Sequence, residues 1–138
     1  MSQTNASKSA NAFAFVGRLL IAVLFILGGI GKLAAPEATQ GYIASVGLPA
    51  PLLGLAVAVA VIVEAGGGLL LLVGYRARLV SLVLAAFTLI LAVLFHKNFA
   101  DQNQMIHFLK NIAIVGGLLQ IAAFGAGSFS LDGRRLRA

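Results

Sequence analysis

The sequence predicts an all-α fold, an integral membrane four-helix bundle with a short interfacial helix after the first span. Three observations carry that prediction. Of 138 residues, 60% are hydrophobic and 10% charged, with a mean hydropathy of +1.01, which is too apolar for a soluble domain of this length. The apolar residues fall into four runs near the roughly 20 residues that cross a hydrocarbon core about 30 Å thick. Charges or turn residues bound each run, and lipid offers no water to unpaired backbone groups, so each run must be a helix.

Residues 1–11 are rich in Ser, Asn and Ala without apolar periodicity, the pattern of a disordered tail. The four-span domain is then expected over residues 12–125, followed by a basic tail, 126–138. The first span runs from about Phe13 to Leu33. Pro36, Ala38, Tyr42 and Val46 then form a short stripe at helical spacing, closed by Gly47 and Pro49; this predicts a small helix lying flat, with Tyr42 as an interfacial anchor. The second span, Leu52 to Val73, is 22 residues long with Glu64 as its one charge. Tyr75, Arg76 and Ala77 leave only a tight turn before the third span, Leu79 to Phe95, which makes those two spans antiparallel neighbours. Ala77 or His96 brings the short third span near spanning length. The fourth runs from about Met105 to Phe124.

The formal charge of +6 would suggest nucleic acid for a soluble protein, but the basic residues cluster at span ends. One side collects Lys8, Arg76, Arg78, Arg134, Arg135 and Arg137, against Lys32 and Lys97 on the other. That asymmetry predicts cytoplasmic termini and no nucleic-acid partner. Arg18 within the apolar stretch and a long, nearly uncharged leader argue against a cleaved signal peptide. No cysteine is present, which excludes disulfide scaffolding, thiolate metal sites and dithiol relays.

Ionisable residues within spans are costly, about 2.5–3.5 kcal/mol on insertion scales, and mark sites or structural pairs. Arg18, Ala22, Phe25, Gly29 and Lys32 share one face of the first span, and small residues there allow a partner helix to approach closely. Ala60, Glu64, Gly67, Gly68 and Leu71 form a comparable stripe on the second. On the fourth, His107, Lys110 and Asn111 share a face with Ile114, Gly117 and Leu118. At 1.5 Å per residue Arg18 lies roughly 9 Å inside its end of the bundle and Glu64 roughly 14 Å inside the same surface. Lys110 enters from the opposite surface by roughly 8 Å, leaving roughly 10 Å to Glu64. Arg18 is therefore the expected first partner of Glu64, with Lys110 and Asn111 extending the network outward and His96 and His107 near the outer mouth.

That network has two readings. A buried Arg18–Glu64 pair fixes helix register whatever the function, or it lines a ligand or proton site. Two histidines suffice in number to ligate a haem or to hydrogen-bond a quinone carbonyl, and the sequence favours quinone over haem. With Asp101 the only carboxylate near them, no dedicated metal site is expected. Gly66 to Gly68, and Gly116 with Gly117, lie in apolar spans and read as close-packing surfaces rather than phosphate loops.

GRLLIAVLFILGGIGKL at Gly17 to Leu33, YIASVGLP at Tyr42 to Pro49, and Glu64 with its following glycines resemble the DoxX family of small bacterial inner-membrane proteins. LLVGYRARL at Leu71 to Leu79, FLKNIAIVGGLL at Phe108 to Leu119 and GAGSFSLD at Gly125 to Asp132 are similar to the family's third-span entry, fourth span and tail. The resemblance covers nearly everything after Ala12. It implies the four-helix fold, and Arg18, Lys32, Glu64, His96, Lys110 and Asn111 as family positions. Relatives include a membrane subunit of a thiosulfate:quinone oxidoreductase and proteins tied to oxidative or thiol stress, while most have no assigned reaction, so fold is implied more strongly than function.

Three functions fit these features. One is a quinone- or lipid-facing subunit of a redox or oxidative-stress detoxification system, possessing an intrabundle pocket. Another is a scaffold recruiting soluble redox enzymes through its loops and basic tail, and the third is a small-molecule or proton carrier working through Glu64. Glycine-lined faces permit a homodimer as readily as internal packing.

Overall fold

The computed structural model describes residues 2–136 and residue 138, with side chains from residue 7 onward; Met1 and Arg137 lie outside the described residues. The first helix, α1, runs Ser2–Ala34, so residues 2–11 extend it where a disordered tail was expected. A helix already nucleated by a span lengthens at little cost. Asn11 adds ties of its own: its amide donates to the Ser7 carbonyl at 2.9 Å and accepts from the Ser128 amide at 3.1 Å. After Ala35 comes α2, Pro36–Ala44, the expected short helix. It packs against the following span, and the Tyr42 ring stacks on Phe95 at 4.6 Å between centroids.

The second span is built in three parts, α3 (Ala50–Val61), a π-helical turn (Ile62–Gly66) and α4 (Gly67–Val73). Gly74 stops it with a left-handed φ of 69°. The amide of Tyr75 donates to the Leu70 carbonyl at 2.9 Å and that of Gly74 to Leu71 at 3.1 Å, the paired bonds with which glycine closes a helix. Then follow α5 (Ala77–Phe95), α6 (Gln102–Phe124) and a short α7 (Leu131–Arg135). Asp101 starts α6 by accepting from the amides of Asn103 and Gln104.

The spans pair as the short loops require, α1 along the second span and α5 along α6, with α4 against α5 closing the bundle. Leu71, Leu84 and Leu118 meet Ala22 and Phe25 in the core. Outside, Leu20, Leu27, Leu55, Ile62, Ile90 and Leu109 are each more than half exposed. A shell this apolar would drive aggregation in water. Among the described residues, four helices are long and apolar enough to cross a membrane, and the exterior suits lipid.

Glycines set the closest approach between α1 and the second span. A Cβ on Gly29 would fall 2.6 Å from the Ala65 amide nitrogen, and one on Gly68 2.8 Å from Ile26 Cγ1 and 3.0 Å from the Ala22 carbonyl oxygen. Because the obstacle at Gly29 is backbone, it cannot move as a side chain tip can. Gly29→Ala is therefore expected to destabilise the bundle by about 1–3 kcal/mol, the usual cost of overpacking, read as an earlier midpoint in detergent-induced unfolding; Gly31→Ala, where a Cβ meets nothing within 4 Å, serves as the neutral control.

Residues 126–136 of the expected basic tail belong to the folded body. Ala126 and Ser130 are buried. Asp132 reaches the start of α5, where its two carboxylate oxygens accept from the Arg76 and Ala77 amides at 2.8 Å each, while its own amide donates to the Gly74 carbonyl at 3.0 Å. A carboxylate on the first amides of a helix satisfies donors that have no intrahelical partner and faces the positive end of the helix dipole. Arg76, which donates the first of those bonds, sits at a left-handed φ of 46°.

Candidate functional site

Glu64 lies in the π-helical turn and is buried. A π turn widens the helix by one residue and recurs at functional positions. Gly28 of α1 faces it, and a Cβ there would sit 3.3 Å from Glu64 Oε2. The charge partner is Lys32, whose Nζ stands 2.7 Å from Oε2, with side chains 29% and 8% exposed respectively.

The expected Arg18–Glu64 pair is not formed. Gly28 and Gly29 mark the level of Glu64 and Ala65, and Arg18 lies ten residues earlier, about 15 Å along the axis. Side chains on a helix lean toward its N-terminus. That tilt carries Arg18 away from Glu64 and brings Lys32, one turn beyond Gly28, back onto it. Phe13 lies beyond the bundle end, and Arg18 itself is level with the last turn of α4. There its Nη1 donates to the carbonyls of Leu71, at 2.7 Å, and Leu72, and its Nη2 to that of Phe129 at 2.6 Å. Arg18 is only 1% exposed, and it joins the end of the second span to the C-terminal segment.

A cavity of about 170 Å³ opens beside Glu64, between α1, the π turn, α5 and α6. Its walls are apolar, with Leu24, Phe25, Leu91 and Ile114; its polar groups are Glu64, Thr88, Lys110 and Asn111. The Thr88 hydroxyl donates to the Leu84 carbonyl at 2.7 Å, which leaves its oxygen as an acceptor toward the cavity. Lys110 also approaches His107 Nδ1 at 3.3 Å. His107 stacks on His96 with centroids 5.1 Å apart, and His96 Nδ1 lies 3.0 Å from Gln104 Oε1. Polar groups thus line up from the α5–α6 connection through both imidazoles to Lys110 and the cavity.

Of the seven residues singled out from sequence, Glu64, Lys110 and Asn111 share the cavity, Lys32 joins through its ion pair, and His96 and His107 stand at its approach. Arg18 is elsewhere. Sequence reasoning missed Gly28, Thr88 and Gln104, and also the π turn. Gly28 had a signal, the adjacent pair of glycines on a face already marked by Phe25 and Lys32; Thr88 had one in being the only hydroxyl within the Leu82 to Phe95 stretch.

Chemically, the site offers a carboxylate already neutralised by one ammonium, with a second ammonium and a carboxamide across an apolar gap. Such a gap suits an apolar ligand with hydrogen-bond acceptors.

Comparison with known proteins agrees with this architecture. The chain is 40% identical over 117 residues to inner membrane protein YqjF of Escherichia coli K12, covering 85% of this chain and 87% of that protein. It is 33% identical over 124 residues to inner membrane protein YphA of the same organism, covering 86% and 87%. No solved structure matches it. Residues 13–97, which hold α2, the π turn and the Lys32–Glu64 pair, match the DoxX family profile, and the chain belongs to the DoxX family.

Proposed function

We propose that this protein is a quinone-facing membrane subunit of a redox or oxidative-stress detoxification system, set in the bacterial inner membrane with both termini cytoplasmic. The observation that carries this reading is the cavity at Glu64, where Lys110 and Asn111 supply donors opposite a neutralised carboxylate between apolar walls. A cavity of about 150 Å³ suffices for a benzene-sized ring, so one of about 170 Å³ fits a single six-membered dicarbonyl head. The isoprenoid tail of such a ligand would lie in lipid. Lys110 and Asn111 would hold the carbonyl oxygens, and Thr88 and Glu64 would accept from hydroxyls of the reduced form. The E. coli relatives named as inner membrane proteins and the Lys and Arg asymmetry support the placement. Soluble redox enzymes are the partners this role calls for.

The test is organic extraction of protein purified in native lipid particles, followed by mass spectrometry. Wild type should retain quinone near stoichiometrically. Lys110→Met with Asn111→Leu should lose at least about tenfold, given that two hydrogen bonds, one of them charged, contribute about 2–4 kcal/mol, while the melting temperature stays near that of wild type because both side chains face the cavity. Equal retention by a folded variant, or no quinone in wild type, overturns the reading.

A second reading, a proton carrier, draws on the line of Gln104, His96, His107 and Lys110 leading to the cavity. Proteoliposomes that dissipate a pH gradient only when His107 is intact would favour it.

A further inference from the structure

At the end of the bundle away from His96, a groove of about 670 Å³ lies where α5 begins and α6 ends. Three arginines line it, Arg76, Arg78 and Arg135, with one carboxylate, Asp132. Both oxygens of Asp132 are engaged by the Arg76 and Ala77 amides. Two of the three guanidiniums are gathered on a single ring: Arg135 Cζ lies 4.9 Å and Arg76 Cζ 5.8 Å from the Tyr75 centroid. The third, Arg78, is held by the Ala122 and Ala123 carbonyls at 3.1 and 2.5 Å and runs along Gly125, where a Cβ would come within 3.4 Å of its Nε. Arg76 and Arg135 over one ring carry like charges that repel, and an anion between them relieves that repulsion. The aromatic ring and the α6 carbonyls hold the arginines in place before any ligand arrives, which lowers the ordering cost of binding.

The rest of the lining identifies the anion's carrier. Leu79 and Phe124, 55% and 78% exposed, stand at the span ends that border the groove. A soluble phosphate has no use for that surface, whereas a phospholipid sets its headgroup at the membrane boundary and its chains just inside. We propose that this groove binds an anionic phospholipid, the phosphate and headgroup between Arg76, Arg78 and Arg135 and the acyl chain against Leu79 and Phe124. The site is independent of the cavity at Glu64 and of its ligand.

Native mass spectrometry of the full chain in an equimolar mixture of phosphatidylglycerol and phosphatidylcholine tests this. Wild type should prefer phosphatidylglycerol, and Arg76→Gln with Arg135→Gln should reduce that preference on the order of tenfold. Each protein's melting temperature in pure phosphatidylcholine reports folding; if the double variant is unstable there, Arg135→Gln alone, on the exposed face of α7, is used. No preference in wild type, or an undiminished one in a folded variant, overturns the proposal. Inorganic phosphate raising the wild-type melting temperature as much as phosphatidylglycerol does would also overturn it, since the occupant would then be a soluble anion.

Discussion

Replacing Lys32 with methionine should destabilise the bundle by about 3 kcal/mol, and adding Glu64→Gln to the same chain should restore most of that loss. Removing one partner of a buried pair costs about 3–5 kcal/mol because the other charge is left uncompensated. The lower end applies because the Lys32 side chain keeps 29% exposure while Glu64 keeps 8%. The same difference makes the two single variants unequal. With Glu64 replaced by Gln, Lys32 is free to swing its flexible stem toward the membrane surface, and the loss should be about 1 kcal/mol. With Lys32 gone, Glu64 has no such freedom: it is short, it sits in a π turn, and Gly28 brings α1 to within contact of its carboxylate. Detergent-induced unfolding midpoints of wild type, both singles and the double give the coupling through a double-mutant cycle. A coupling near zero would mean that the pair contributes nothing, and Lys32→Met costing no more than Glu64→Gln would mean that the carboxylate is better solvated than its burial shows.

Apart from the N-terminal end of α1, the four spans were legible to within a few residues because hydropathy and charge are local properties of the chain. Register between helices is not local. Arg18 and Lys32 could be placed on one face of α1 from their spacing, but choosing which of them meets Glu64 required knowing where Gly29 touches Ala65 and which way the side chains lean. The bundle end was misplaced because α1 continues past Phe13 back to Ser2, so the apolar boundary of the sequence was not the level at which α4 ends. The π turn left no distinct mark: three glycines after Glu64 fit close packing equally well, and here they do both. Hidden most fully was the role of residues 126–136. Asp132 acts on backbone amides at the start of α5, Phe129 offers its own carbonyl to Arg18, and Ser130 braces the turn between Gly127 and Gly133; backbone partners carry no residue-type signature. Gly125 and Gly127, with φ of 83° and 79°, were the available hint that the chain turns back there.

The second large effect is expected at Arg18, and its signature separates a strut from a ligand site. Arg18→Met should cost about 4 kcal/mol. Three carbonyls lose a charged donor, those of Leu71, Leu72 and Phe129, at about 1.5–3 kcal/mol for each such bond, with part of the loss recovered as water reaches the end of α4. Arg18→Lys should recover less than half, because one ammonium on a flexible stem cannot serve two strands of backbone as a planar guanidinium does. The segment 125–136 should loosen first. Arg18 is its charged tie to the last turn of α4, and what then holds it is the Asp132 cap on α5, worth about 1–2 kcal/mol, with the Asp132–Gly74 and Ser128–Asn11 bonds beside it. Hydrogen exchange should therefore rise at the Arg76 and Ala77 amides as well as along 126–136, while protection in α6 stays near wild type. Trypsin should cut faster at Arg134 and Arg135. Because Arg18 touches neither the cavity nor Lys32, quinone retention by the folded fraction should be unchanged. Loss of retention in protein whose spans remain protected would place Arg18 within the ligand site after all, and unchanged exchange in the C-terminal segment would show that Asp132 holds it without the arginine.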